Sequence, residues 1–290
     1  VTFRLIQWED VRGYPQAKIQ KSFGPAGSNE ANVLSILAEK QFESSFPPEV
    51  EKFAEEIPEK IPEDEIHRRR DMREEVVLTI DPADAKDFDD GLSIEILNNG
   101  NYYLGVHIAD VSHYMPKSTV LDDEAIERGT SVYLVDRVIP MLPEYLSNGV
   151  CSLRPHEDKL AYSCFMEIAP NGKLVDYSIE ETVIHSKQRF VYEEVQKILD
   201  GEADHPFKTE LKILEKLANI LLDKRFKQGS INFETPEPKF VLDDNGKPVD
   251  VVVKERIFAH RLIEECMLMA NKTVALHTDS LRKKVRGEKT

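Results

Sequence analysis

Residues 81–90 read DPADAKDFDD, so five carboxylates fall within ten positions. They directly follow VVLTI at residues 76–80, an apolar run typical of a buried strand. Two carboxylates about 4 Å apart repel each other by roughly 1 kcal/mol in water and by about 4 kcal/mol at an effective dielectric constant near 20. A fold that gathers so many acids at a strand end needs a neutralising partner, and a hard divalent cation with oxygen ligands is the foremost choice.

The overall charge restricts the class of protein further. A formal net charge of −15 over 290 residues argues against a simple nucleic-acid-binding module, which would carry a basic field. It does not exclude nucleic-acid chemistry, because metal ions and local basic patches can offset an acidic centre. Three cysteines without CxxC spacing predict free thiols in a reducing cytosol, and no apolar stretch approaches the ~18–20 residues of a membrane span. We therefore expect a cytoplasmic protein without membrane contact.

Composition and turn signals divide the chain into three parts. Residues 1–45 predict strands over 1–6 and 17–21 and a helix over 30–42, as in the end of a small β-domain. Residues 46–75 are acidic and interrupted by proline, which predicts a linker with a short helix over 49–57. The basic triplet at residues 68–70 is predicted to be a solvated charge run, with an RNA-phosphate contact as the alternative. The sequence begins with Val1 in the middle of a strand pattern, which predicts that it is part of a longer protein.

Residues 76–290 have a mixed α+β pattern. Asn-Gly and related turns predict three antiparallel hairpins, over 92–97 with 102–108, 161–168 with 174–184, and 239–242 with 249–253. Helical periodicity is present over 121–128, 192–199, 209–228 and 258–277, and a short strand is expected over 131–134. The sequence therefore predicts largely antiparallel sheets flanked by helices.

Three interpretations compete for the acidic run. An EF-hand calcium loop needs glycine at position six and glutamate at position twelve, and starts at Asp81 or Asp87 meet neither requirement. A solvated acidic turn is disfavoured because apolar strands flank the loop closely on both sides. The third interpretation is a catalytic site in which two magnesium ions about 4 Å apart serve displacement at phosphorus. If the loop is locally extended, Asp87 and Asp89 point one way and the ring of Phe88 the other.

Several stretches together resemble one enzyme family. The stretch TIDPADAKDFDD at residues 79–90 is similar to the signature of the RNase II and ribonuclease R (RNB) family of 3′-to-5′ exoribonucleases, although Gly91 stands where the family more often has alanine. Further stretches resemble the family in the same order: GVHIADVSHY (105–114), RGTSVY (128–133), VIPMLP (138–143), LSNGVCSL (146–153) and HRLIEECMLMAN (260–271). The resemblance implies an RNB-type catalytic domain from residue 76, preceded by the end of a cold-shock, OB-type β-barrel.

The resemblance also implies the site residues and the reaction. The catalytic and metal-binding aspartates are Asp81, Asp87, Asp89 and Asp90, with Mg²⁺ as cofactor and Mn²⁺ as a possible substitute. Tyr133 is expected to stack on the 3′-terminal base of RNA; Phe233 is a second candidate, with core packing as its near-even alternative. The expected activity is processive, hydrolytic 3′-to-5′ degradation of single-stranded or structured RNA to nucleoside 5′-monophosphates by a monomeric enzyme.

Departures from the family pattern are expected to matter. An arginine that clamps phosphate, a catalytic glutamate and an S1 RNA-binding domain have no match in these residues, so we expect this piece alone to be nearly or wholly inactive. The main alternative is a non-catalytic RNA-binding module that retains the RNB fold. A phosphotransferase with an aspartate nucleophile is disfavoured, because Ala83 stands where its second aspartate should be.

Other polar residues receive more ordinary roles. His107, His113 and His260 are predicted to make structural hydrogen bonds or phosphate contacts outside the metal shell, because imidazole is a poorer partner for magnesium than carboxylate. Glu264 and Glu265 lie on a helix whose apolar face is filled, which predicts that one of them faces solvent.

Overall fold

A computed structural model describes residues 1–7, 15–231, 238–243, 248–253 and 255–286 of the chain. Contacts divide it into a first unit, Val1–Glu56 with Lys117–Pro143, and a second unit, Ile57–Pro116 with Glu144–Thr290. The assignment of residues 1–45, 46–75 and 76–290 to an OB-type end, a linker and a catalytic domain stays a prediction.

Both units combine helices and strands. In chain order the elements are β1 (Thr2–Gln7), β2 (Gln16–Lys21), α1 (Asn29–Glu39), α2 (Pro48–Glu55), α3 (Glu63–Arg68), β3 (Arg70–Asp81), β4 (Asp90–Ile96), β5 (Tyr102–Ala109), α4 (Val111–Tyr114), α5 (Val120–Arg128), β6 (Val132–Tyr133), β7 (Val138–Ile139), a π-helix (Tyr145–Val150), β8 (Asp158–Ile168), β9 (Leu174–Val191), α6 (Tyr192–Asp200), α7 (Lys208–Lys227), β10 (Pro238–Leu242), β11 (Pro248–Val253) and α8 (Phe258–Arg286). No helix in the described ranges is long and apolar enough to cross a membrane.

The first unit contains two small antiparallel ribbons and three helices. Strands β1 and β2 form one ribbon, and β6 and β7 form the other. Ser28 caps α1, because its Oγ accepts the N–H of Ala31 at 3.2 Å. The guanidinium of Arg128 lies 3.7 Å from the ring centroid of Phe46 and donates to the Ser45 carbonyl at 2.7 Å. These contacts hold residues 43–46 against α5.

The second unit is built on a closed five-stranded barrel in the order β3-β4-β5-β8-β9. Its neighbouring strands are antiparallel except β3 and β9, which run parallel and close the barrel. Strand residues such as Leu78, Met166 and Phe190 form one core with Leu214 and Leu262 of the helices. This mixed α/β arrangement confirms the predicted fold class, while the parallel closing pair is an addition to the predicted antiparallel hairpins.

A string of polar side chains is buried among the strands. His107 is fully buried, with Ser93 Oγ 2.9 Å from Nε2 and Ser163 Oγ 2.7 Å from Nδ1. Thr182 continues the string at 2.6 Å from Ser163. Burial lowers the pKa of His107 to about 3, so the ring is neutral at ordinary pH. His107 therefore has the structural hydrogen-bonding role that the sequence predicted.

The basic triplet is not uniformly solvated, and the prediction is wrong for its central residue. The side chain of Arg69 is wholly buried: it donates from Nη2 to Asp110 Oδ2 at 2.7 Å and from Nε to Glu65 Oε1 at 2.6 Å. Arg68 keeps half of its side chain exposed. The reason is that Asp110, 41 positions along the chain, supplies a buried partner for one arginine of the three.

Candidate active site

The aspartate run lies where two parallel strands end. Strand β3 ends at Asp81, which is in register with Val191 at the end of β9, and α6 begins at the next residue. Leu78 of β3 pairs with Leu92 of β4, and residues 82–89, between the end of β3 and the start of β4, form a loop at this barrel edge. The loop therefore meets the carboxyl ends of β3 and β9 and the N-terminus of α6.

Arg189 holds the first half of the loop. Its Nη2 donates to the carbonyls of Pro82 at 2.6 Å and Ala83 at 3.2 Å, and its guanidinium lies 5.4 Å from the ring centroid of Phe88. Phe88 is buried and points away from solvent, whereas Asp89 is exposed. This alternation follows the pattern expected for an extended stretch. The apolar side chain anchors the loop and leaves its acids at the edge.

The electrostatics of the acids are strongly unfavourable. Burial raises the pKa of Asp81 to about 7, and the charges of Asp90 and Asp89 act in the same direction. Burial, with the charge of Asp89, raises the pKa of Asp90 to about 6. The pKa of Asp89 is also raised by the surrounding protein and by Asp87, although much of its surface is exposed. The charges of the four predicted ligands therefore act on one another, whereas Asp84 is exposed in the same loop.

The aspartate carboxylates are of the right chemical type for a divalent cation, but they are not positioned around a common point. Asp81 Oδ2 is buried and has no hydrogen-bond partner among the described residues. Carboxylate oxygens are the ligands that Mg²⁺ prefers. However, no group of three or more His, Cys, Asp or Glu residues within the described ranges is placed to hold a metal ion. Uncompensated carboxylates repel one another, so a ligand set of this kind is expected to close only around its cation.

An aromatic pair lies beside the acids. Tyr192, the first residue of α6, stacks on His260 of α8 with ring centroids 4.1 Å apart and planes 19° from parallel. Burial, together with the charges of Asp81 and Asp90, raises the pKa of Tyr192 to about 12. Sequence reasoning did not select Tyr192 or Arg189 as site residues, because nothing in the local pattern shows that they lie next to the aspartates.

The remaining predicted residues have separate outcomes. Tyr133 lies on β6 in the first unit with 69% of its surface exposed, and its stacking on a base stays a prediction. Phe233 lies outside the described residues. One of the two neighbouring glutamates faces solvent as predicted: Glu264 is partly exposed, whereas Glu265 is buried and accepts from Arg225 Nε at 2.9 Å.

The fold and the site define a mixed α/β barrel domain with an acidic cluster at one edge. Comparison with protein families matches residues 69–285 to the RNB domain, and the chain therefore belongs to the RNB family. Ribonuclease R of Thermotoga maritima is 45% identical over 282 residues, which cover 95% of this chain and 40% of the relative. Ribonuclease R 1 of Lactococcus lactis is 44% identical over 270 residues, which cover 91% of this chain and 33% of the relative.

Solved structures agree with this assignment. Mycoplasma genitalium RNase R in complex with double-stranded RNA matches with a TM-score of 0.91 at 27% identity, covering 97% of this chain and 50% of that one. The chain thus spans between a third and two-fifths of the length of the two curated relatives.

Proposed function

We propose that the protein acts as a magnesium-dependent 3′-to-5′ hydrolytic exoribonuclease. It would degrade single-stranded or structured RNA processively and release nucleoside 5′-monophosphates. The observation that carries this proposal is the cluster of mutually repelling aspartates at the edge of an RNB barrel, in which Asp81 is buried and Asp90 is partly buried. A loop of this kind destabilises the fold unless it holds a cation, and such a cost is characteristic of functional sites.

The roles of the residues follow from their positions. Asp81, Asp87, Asp89 and Asp90 would hold Mg²⁺, with Mn²⁺ as a substitute; the bound ions would stabilise charge at phosphorus and make an attacking water more acidic. Without a cation, Asp81 keeps a proton near neutral pH because of its raised pKa, and it loses that proton when a cation binds. Arg189 fixes the Pro82 and Ala83 carbonyls, so the first ligand keeps its direction.

RNA binding is proposed on different grounds. The exposed ring of Tyr133 offers a face for a 3′-terminal base, a contact worth roughly 1–3 kcal/mol for any base. Mycoplasma genitalium RNase R, whose fold this chain shares, has been solved in complex with ribose-methylated single-stranded RNA and with double-stranded RNA. A monomer in the cytoplasm is also proposed, and three buried free cysteines support the reducing compartment.

One observation favours a second candidate function. The aspartates are not arranged to hold a metal within the described part of the chain, as would suit a non-catalytic RNA-binding module with the same fold. Such a module would bind RNA equally well after loss of a carboxylate and would show no response to Mg²⁺. RNA degradation and RNA binding, measured on Asp89→Asn and on its control Asp84→Asn, therefore distinguish the two functions.

The test is a chimera in which this chain replaces the matching segment of Thermotoga maritima ribonuclease R. We expect the chimera to shorten 5′-labelled single-stranded RNA stepwise from its 3′ end in Mg²⁺. Asp89→Asn in the chimera should lower the rate by about 100-fold or more, because charge stabilisation at the reacting phosphate is lost. Denaturing gels with mononucleotide analysis give the rates. By itself, the 290-residue chain should be far slower than the chimera.

Asp84→Asn is the matched control, because Asp84 lies exposed in the same loop. It should leave the rate unchanged. A folded chimera that binds RNA but releases no mononucleotide contradicts the proposed activity and leaves the non-catalytic module. A rate that survives Asp89→Asn contradicts the proposed role of the aspartates in that activity.

A further inference from the structure

We propose that Ser152 is a positioning residue that fixes the backbone on both sides of Asp87. This inference rests on the proposed metal site. Ser152 lies 62 to 65 positions beyond Asp87 to Asp90 in the sequence and is fully buried next to their loop. It is a positioning residue and not a catalytic one, since its hydroxyl bonds the loop backbone at Lys86 and Phe88.

The hydrogen bonds of one hydroxyl bracket Asp87. The N–H of Phe88 donates to Ser152 Oγ at 3.0 Å, and Ser152 Oγ donates to the Lys86 carbonyl at 2.8 Å. A serine hydroxyl has one proton to donate and two lone pairs to accept, so both bonds form at once. Lys86 and Phe88 are the chain neighbours of Asp87, and the hydroxyl therefore spans the residue.

The backbone next to Ser152 also hydrogen-bonds the aspartate loop. The N–H of Leu153 donates to the Phe88 carbonyl at 2.8 Å, so the peptide between Phe88 and Asp89 is also fixed. On the opposite strand, the N–H of Ala109 donates to the Asp89 carbonyl at 2.9 Å. The direction of both Asp87 and Asp89 is thus set by contacts outside the acidic run.

Ser152 has a rigid mount of its own. It follows the π-helix Tyr145–Val150, and the Cys151 N–H donates to the Leu146 carbonyl at 3.0 Å. Lys159, itself buried, donates from Nζ to the Gly149 carbonyl at 2.7 Å and places its positive charge at the end of that helix. Single-turn π-helices occur frequently at functional sites. Through Lys159, strand β8 of the barrel therefore fixes the π-helix, and the π-helix fixes Ser152 beside the aspartate loop.

The expected effect is on metal affinity. Carboxylates that repel one another tend to separate. A loop that is already held in place loses less conformational entropy when a cation brings the carboxylates together, so it binds the cation more tightly. Removing a residue that orients metal ligands without itself binding the metal typically lowers metal affinity or activity by about 10–100-fold. Ser152→Ala removes both bonds of the bracket while leaving every carboxylate in place.

Ser163 provides the matched control. It is also fully buried and makes two side-chain contacts, to His107 at 2.7 Å and to Thr182 at 2.6 Å, but its partners lie among the barrel strands. Ser163→Ala should therefore cost stability as Ser152→Ala does without weakening the metal site. Ser152→Cys keeps a side chain in the cavity with weaker hydrogen bonds and serves if the alanine variant does not fold.

The experiment is a Mn²⁺ titration of the 290-residue chain, with free Mn²⁺ measured by electron paramagnetic resonance and folding checked by urea denaturation. We expect Ser152→Ala to weaken Mn²⁺ binding by about 10–100-fold, Ser152→Cys by less, and Ser163→Ala not at all. Equal affinities for wild type, Ser152→Ala and Ser152→Cys overturn the positioning role while the metal site stands. If Asp89→Asn binds Mn²⁺ as well as wild type does, the metal site of the proposed function is wrong and the inference falls with it.

Discussion

Replacing Asp81 with asparagine is expected to stabilise the metal-free chain at pH 8 by about 2–4 kcal/mol in the free energy of unfolding. Asp81 is 8% exposed, and its pKa is about 7 rather than the ordinary 3.8 because of burial and the neighbouring Asp90 and Asp89. At pH 8 its carboxylate is charged in a place that disfavours charge. Asparagine keeps the shape and removes that charge, so the folded state gains.

The free energy of unfolding is expected to depend on pH through Asp81. Between pH 3.8 and 7 the folded chain holds a proton on Asp81 that the unfolded chain has released, so wild-type stability falls as the pH rises through this window. Below pH 3.8 the carboxyl is protonated in both states, and the advantage of Asp81→Asn is expected to vanish. The measurement is urea denaturation in EDTA at pH 4 and pH 8.

Asp84→Asn is again the control, because it changes the charge by the same amount at an exposed position of the same loop. It should change stability little at either pH. A gain from Asp81→Asn that is absent at pH 8, or equal at pH 4 and pH 8, would show that Asp81 is not held in an unfavourable charged state.

The second large effect is expected for Arg69→Met, which should lower the free energy of unfolding by about 3–5 kcal/mol. Burial alone would raise the pKa of Asp110, yet hydrogen bonds from Ser112 and Arg69 hold it below its usual value. Removing the guanidinium leaves Asp110 and Glu65 without their buried partner. An uncompensated buried charge is among the costliest defects that a single substitution can make.

Arg68→Met provides the comparison within the same triplet. Arg68 pairs with Glu65 and Glu181 at the surface, where solvent screens the attraction, so its loss should leave the denaturation midpoint almost unchanged. Equal losses for the two variants in urea denaturation at pH 7 would mean that the buried network around Arg69 contributes no more than a surface ion pair.

Local patterns were sufficient for most elements of the fold. The turn at residues 98–101 and the alternation beside it predicted the hairpin of β4 and β5, and apolar periodicity predicted α6 and α7 within a residue or two. Differences arise where contacts distant in sequence decide. Strand β9 continues to Val191 because its second half pairs in parallel with β3, and no local pattern specifies a partner some 110 positions away.

The site shows the same division. The four aspartates were recognisable because they lie in one continuous stretch that resembles the family signature, and their charges act on one another in the folded chain. Arg189 and Tyr192 were not, because each reaches the loop only after the barrel has closed. Arg69 could not be distinguished from Arg68 for a similar reason: its burial depends on Asp110, whose position beside α3 is a result of folding.

The most direct test of the central claim is anomalous diffraction at the manganese edge from crystals of the 290-residue chain grown with Mn²⁺. We expect an anomalous peak beside the carboxylates of Asp81, Asp87, Asp89 and Asp90, and no peak there in crystals of Asp89→Asn. A well-ordered loop with no peak at these carboxylates at saturating Mn²⁺, or a peak that survives Asp89→Asn unchanged, would contradict it.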